Sequence, residues 1–145
     1  MYLDTSYIAK FYLEEPESRL VRELVGAADP IRSSLMAVAE FHAVLHRKTR
    51  EGALTAKTAI ELAFRFSQHE KDRLWTFIPV TDNLLRKTAA LMVAAPPELF
   101  LRTADVVHLM TARDIGEQEI WANDRHMLAA APYFGLIGRS VSDEV

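Results

Sequence analysis

Short runs of strand-forming residues alternate with longer helix-patterned stretches along the whole chain, and this alternation constrains the fold more than any other feature. Met1-Tyr2-Leu3 reads as a strand running into Asp4-Thr5-Ser6, residue types that cap the following helix, Tyr7 to Leu13. Pro16 suits the first turn of a second helix reaching about Ala28, and Ile31-Arg32-Ser33 reads as the next strand. Helices are expected over Leu35 to Glu51 and Thr55 to about Arg73, divided by Gly52 as a C-cap. Trp75 to Val80 is rich in strand formers, and Thr81 or Asp82 caps a helix from Asn83 to Ala95. A helix from Thr103 to Ile115 precedes a strand from Glu119 to Ala122, which delivers Asn123-Asp124. A short helix to Ala131 and a strand at Leu136-Ile137 complete the order. The pattern predicts an α/β three-layer sandwich: a short, mostly parallel central sheet flanked by helices on both faces.

Composition narrows the function classes. At 145 residues, one domain spanning 1–145 is expected. Half the residues are apolar and 26% are charged, which excludes general disorder. Lys plus Arg is 17 against 20 for Asp plus Glu, a net charge of −3. That balance argues against a protein holding nucleic acid through a broad basic surface, but leaves room for a local grip. The absence of cysteine removes disulfides, thiolate metal sites and cysteine nucleophiles, so any metal must be held by oxygen or imidazole. No secretory leader pattern precedes Asp4, and the longest apolar run, Ala89 to Pro97, is too short to span a membrane. A soluble cytoplasmic protein without membrane partners is expected.

Four acids occupy positions that hydrophobicity alone would not choose. Asp4 closes the first strand and Asp124 the fourth, at the strand ends where open parallel sheets collect ligands. Glu40 falls on the border of a helix stripe centred on Phe41, and Asp105 lies in the first turn of an apolar helix. Each has an ordinary alternative: caps for Asp4 and Asp124, a solvated pair with Arg47 or Lys48 for Glu40, dipole complementation for Asp105. Two carboxylates ~5 Å apart repel by roughly 3 kcal/mol at an effective dielectric of 20. Either the acids do not converge, or a cation or shared protons neutralise them. Hard oxygen donors point to Mg²⁺ or Mn²⁺, and Mg²⁺ commonly acts on phosphate substrates.

The segments Tyr2-Leu3-Asp4-Thr5-Ser6, Ala39-Glu40-Phe41, Thr103-Ala104-Asp105-Val106-Val107-His108-Leu109 and Ala122-Asn123-Asp124-Arg125 resemble the ordered motifs of PIN-domain ribonucleases. The likeness is strongest to the toxins of bacterial VapBC toxin–antitoxin pairs, and it runs from Met1 to about Val141. It implies a PIN-like fold and a metal-dependent endoribonuclease, with Asp4, Glu40, Asp105 and Asp124 as the acidic metal site. Asp4 and Asp105 are the first choice as direct ligands, while Glu40 and Asp124 bind metal or orient its waters. Ser6 matches a small polar residue beside that site. The chain departs from the family at Ala122, where Thr or Ser is frequent. The resemblance also implies an RNA substrate, a cognate antitoxin and a homodimer.

Arg102 and Arg125 flank the acidic motifs and are candidates for RNA phosphate contacts or for salt bridges to the neighbouring acids. Lys10 is a weaker candidate of the same kind. His108 is expected to pack beneath the site, His42 and His46 to lie on a solvated face, and His69 and His126 to be exposed. Core packing accounts for most of Tyr7, Phe11, Tyr12 and Leu13 on the first helix and Ala56, Ala59, Ile60, Leu62, Ala63, Phe64 and Phe66 on the fourth, and leaves a surplus. The surplus suits a dimer face and an antitoxin groove. No G-x-G-x-x-G, phosphate-binding loop or G-x-S-x-G elbow is present. A haloacid-dehalogenase-type phosphatase would place a second Asp two residues after Asp4, where this chain has Ser6. A non-catalytic PIN-like binding module is the other alternative, and it would be favoured by loss of one of the four acids.

Overall fold

The computed structural model describes residues 1–144, so Val145 lies outside the described residues. β1 (Tyr2–Leu3), β2 (Arg32–Ser34), β3 (Thr76–Ile78), β4 (Glu119–Trp121) and β5 (Ile137–Arg139) form one sheet in the order β3-β2-β1-β4-β5. Every pairing is parallel, with Tyr2 opposite both Arg32 and Ile120, and Leu3 opposite Trp121. The expected mostly parallel sheet is therefore wholly parallel among the described residues.

Strand periodicity divides the core. Leu3 and Trp121 point into one apolar cluster, whereas Tyr2, Ile120 and Ala122 point into the other. The first cluster is covered by α1 (Thr5–Tyr12), α2 (Ser18–Gly26), α3 (Met36–Arg50) and α4 (Ala56–Lys71). The second is covered by α5 (Asp82–Ala94), α6 (Thr103–Asp114) and α7 (Arg125–Ala130). The central strands β1 and β4 are the ones buried between the two layers, while β3 and β5 at the sheet edges are partly exposed.

Several boundaries differ from expectation for local reasons. α1 starts at Thr5 because Asp4 itself is the N-cap, accepting the Tyr7 N–H. Pro16 stays outside α2. The turn is tied instead by Ser18, whose hydroxyl accepts from the Glu15 N–H and donates to the Leu13 carbonyl, with Glu17 left-handed at φ 70°. β3 is shorter than Trp75 to Val80, because Pro79 has no N–H for the ladder and the Trp75 indole turns inward to donate to Tyr12 Oη at 2.7 Å. Gly52 ends the α3 turn at φ +76°, as its C-cap role requires. β5 begins one residue late because the Leu136 N–H is spent on the Ala131 carbonyl at 3.0 Å. Gly138 then passes so close to α7 that a Cβ there would lie 2.9 Å from the Leu128 carbonyl oxygen.

Of the apolar residues that the first and fourth helices carry, those left exposed are on α4. Tyr7, Tyr12 and Leu13 belong to the core, as do Leu62 and Phe66, while Ile60 and Phe64 are exposed beside a shallow groove with Glu61, Arg65 and Gln68. His69 is not the exposed residue expected: it is half-buried, hydrogen-bonded to Tyr12 Oη at 2.8 Å and stacked on that ring. Among the described residues no helix is long and apolar enough to cross a membrane.

Candidate active site

The strand order locates the site. The chain lays β2 and β3 on one side of β1 and returns to place β4 and β5 on the other, so a topological switch point lies between β1 and β4. Asp4 leaves β1 at that point, its N–H donating to the Trp121 carbonyl at 3.0 Å, and Asp124 follows β4 at the same edge. A cleft of about 600 Å³ opens there. Asp4, Ser6, Glu40, Arg102, Asp105 and Asp124 all line it. Four segments far apart in the chain are thus brought to one place, and Arg125 is not: it is exposed and outside the cleft lining. Asp124 caps α7, and Arg125, as the first residue of that helix, projects to solvent beside the cleft rather than into it.

Asp4 is 5% exposed. Its Oδ1 accepts the Ser6 hydroxyl at 2.6 Å and the Tyr7 N–H at 3.2 Å, and no cationic side chain pairs with it among the described residues. Burial pushes its carboxyl above the usual range, and these hydrogen bonds and His108 offset only part of that. Ser6 also accepts the Asn123 N–H at 3.1 Å, which stitches the β1 end to the loop carrying Asp124.

Glu40 reaches into the cleft from α3. Its Oε2 accepts the Thr5 hydroxyl at 2.5 Å and lies 2.8 Å from His108 Nε2. The ionised Glu40 carboxylate can only accept, so the proton between it and His108 belongs to Nε2. The buried ring continues through Nδ1 to Tyr2 Oη at 3.0 Å. Partial burial would raise Glu40, but the His108 hydrogen bond and charge, Thr5 and Arg102 outweigh it and hold the carboxyl below its usual range. The alternative pairing of Glu40 with Arg47 or Lys48 does not form; Lys48 pairs with Glu15 at 2.6 Å.

Asp105 and Asp124 share one cation. Arg102 grips Asp105 with both arms, Nε to Oδ2 at 2.8 Å and Nη2 to Oδ1 at 3.1 Å, and the same Nη2 donates to Asp124 Oδ2. Arg102 thus salt-bridges the acids, and its guanidinium is held above its usual range by the Asp105 hydrogen bonds and by both charges. Asp124 Oδ1 caps α7, accepting the His126 N–H at 2.7 Å and the Met127 N–H at 3.3 Å. Burial tends to raise Asp124, yet those N–H groups and Arg102 bring it below the usual range. Lys10, itself buried, donates to Glu17 Oε2 at 2.5 Å and Asn123 Oδ1 at 2.9 Å and so braces the same loop.

Thr5, His108, Lys10 and Asn123 therefore join the site in roles that spacing did not assign. His108 packs beneath the site, and its contact with Glu40 follows from that position. Thr5 carried no signal beyond capping, because its reach to Glu40 depends on how α1 meets α3. Among the described residues no three acidic or imidazole groups stand in a metal-holding arrangement as the side chains lie, since Arg102 occupies both oxygens of Asp105. The donor set nevertheless suits a hard cation: it is all oxygen, and buried Asp4 lacks a compensating charge.

The PIN domain family model matches residues 1–132. No curated protein matches this chain. Among solved structures, VapC20 of Mycobacterium tuberculosis, a sarcin-ricin-loop-cleaving toxin, superimposes with a TM-score of 0.71 at 20% identity, covering 89% of this chain and 93% of that one. Two residues after Asp4, where a haloacid-dehalogenase-type site needs a second acid, stands the Ser6 hydroxyl bonded to Asp4. A parallel sheet in the order β3-β2-β1-β4-β5, four acids at its switch point and a family match over most of the length lead to one assignment: this chain belongs to the PIN domain family.

Proposed function

We propose that this chain is a metal-dependent endoribonuclease of the toxin kind, neutralised in its cell by a cognate antitoxin. The observation that carries the reading is the convergence of Asp4, Glu40, Asp105 and Asp124, from four separate segments, on one cleft at the strand ends. Carboxylates so placed are costly unless a cation offsets them, and the one Arg102 guanidinium reaches only two of the four. The fold shared with a toxin that cleaves the sarcin-ricin loop supports RNA as the substrate class.

Asp4 and Asp105 are the residues that would hold a Mg²⁺ or Mn²⁺ ion, with Glu40 and Asp124 completing the set or orienting its waters. Such an ion supplies activation of a water and stabilisation of charge on the phosphoryl oxygens during hydrolysis. The chain's own groups supply the positioning. Ser6 and the Tyr7 N–H fix the Asp4 carboxylate, Thr5 and His108 fix Glu40, and the α7 N–H groups fix Asp124. Arg102, freed from Asp105, stands at the rim where a phosphate of the RNA would lie.

Ile60 and Phe64 are the apolar side chains that α4 offers to a second copy of the chain or to an antitoxin helix. Light scattering of the purified protein tests the dimer, and a monomer at high concentration refutes it. For the activity, induced expression should arrest growth and leave cleaved RNA, and Asp105→Asn should relieve both. Growth arrest that persists in Asp105→Asn, without RNA cleavage by the purified protein in Mg²⁺ or Mn²⁺, contradicts the reading and favours a non-catalytic binding module.

A further inference from the structure

We propose that Phe100 and His126 form a stacking platform for one unpaired nucleobase of the RNA, next to the acidic cleft. The proposal rests on the ribonuclease reading above and narrows its substrate to single-stranded or looped segments. Phe100 is 56% exposed, although the Leu99 and Leu101 side chains on either side of it are partly buried. Its ring contacts His126, with centroids 4.5 Å apart and planes at 41°. His126 is tied to the site through its own N–H, which donates to Asp124 Oδ1 at 2.7 Å.

The surroundings of this ring pair favour a nucleotide. Phe100 lies two residues before Arg102, a side chain 54% exposed at the cleft rim. Arg125 lies between Asp124 and His126, exposed and without an ion-pair partner among the described residues. An exposed aromatic ring with Arg102 two residues on in the chain, in contact with a histidine that follows Arg125, matches the needs of a single strand: charge for the backbone, a π-face for the base. A protein partner would instead need a continuous apolar surface, whereas Phe100 stands between partly buried Leu99 and Leu101 and is followed by the exposed charge of Arg102. The platform also gives Arg125 a role. Outside the cleft lining, it is placed for a phosphate neighbouring the one being cut.

The test uses a short fluorescein-labelled single-stranded RNA of mixed sequence and its matched duplex, titrated with the full chain in Ca²⁺ buffer, beside a cleavage assay in Mg²⁺. Phe100→Ala should weaken single-strand binding at least about fivefold, while Phe100→Trp stays within about twofold of the parent. Duplex binding should not change in either variant. Because Phe100 is exposed, both variants should melt with the parent, which separates binding from folding. Single-strand affinity unaltered in Phe100→Ala, or lost equally for strand and duplex, overturns the platform while cleavage by the parent leaves the ribonuclease reading standing. A parent chain that neither binds nor cleaves RNA overturns that reading, and the platform with it.

Discussion

Replacing Arg102 by Gln removes the one cation that bridges Asp105 and Asp124, and the structure sets the size of the effect. At ~4 Å and an effective dielectric of 20, a charge pair is worth about 4 kcal/mol before desolvation and screening. Arg102 is half exposed, so both pairs are discounted, the Asp124 pair to about 0.5 kcal/mol and the bidentate pair with buried Asp105 to about 1.5 kcal/mol. The metal-free variant should therefore lose about 2 kcal/mol, a fall in Tm of about 5–8 °C for a chain of this size. An ion on Asp105 must displace Arg102 in the parent but not in the variant. Arg102→Gln should consequently bind Mn²⁺ roughly thirtyfold more tightly, the affinity equivalent of 2 kcal/mol. Thermal melts across a Mn²⁺ titration read both effects: the curves start apart in EDTA and converge at saturation, where neither chain retains the bridge. A variant that melts with the parent in EDTA, or a gap that persists undiminished at saturating Mn²⁺, refutes the idea that arginine and metal compete for the same oxygens.

Further expectations concern single groups. Asp4→Asn keeps an acceptor for Ser6 and Tyr7 and removes a buried charge, so it should raise Tm at neutral pH in EDTA while abolishing cleavage. The sign follows from linkage: a carboxyl raised by burial holds its proton better in the folded state, so its stabilising contribution falls as pH rises through the window from the usual carboxylate range to the raised value. Glu40 and Asp124 behave oppositely, contributing stability above the usual carboxylate range that is lost as pH falls through their lowered values. Glu40→Gln should therefore flatten the acid limb of a Tm-against-pH curve. His108→Ala deprives Tyr2 and Glu40 of their partner and leaves a cavity, a loss of about 2–4 kcal/mol by denaturant titration, with cleavage impaired even in the folded fraction. Gly138→Ala forces β5 off α7 and should cost about 1–3 kcal/mol without changing cleavage per folded molecule.

Much of the layout is legible in the sequence because local and global preferences agree. Asp4 is both strand terminator and helix cap, so the same residue marks the β1–α1 boundary and points to the switch point. Glu40 and Asp105 stand out because each interrupts an apolar helix face. What escapes is set by long-range packing. Glu17 adopts a left-handed turn because Lys10 and Ser142 hold its carboxylate, and neither partner is predictable from the Pro16 signal. His69 is drawn into an aromatic cluster by Tyr12, which lies far away in the chain. Arg102 and Arg125 are indistinguishable as flanking cations, yet one faces the cleft and the other solvent, because the first precedes α6 with its side chain turned onto Asp105 and Asp124 and the second begins α7. Gly138 carries no motif at all; its need is a steric contact with Leu128 that only the assembled sheet and helix create.

The central claim is that four acids at one strand edge form a cation site that cleaves RNA. Calorimetric titration of Mn²⁺ into the metal-free chain tests it most directly, with Asp4→Asn, Glu40→Gln, Asp105→Asn and Asp124→Asn alongside. The account predicts saturable binding by the parent, a loss of about tenfold or more for Asp4→Asn and Asp105→Asn, smaller losses for the other two, and RNA cleavage that follows occupancy. A parent chain that binds no Mn²⁺, or variants that bind it as the parent does, would contradict it.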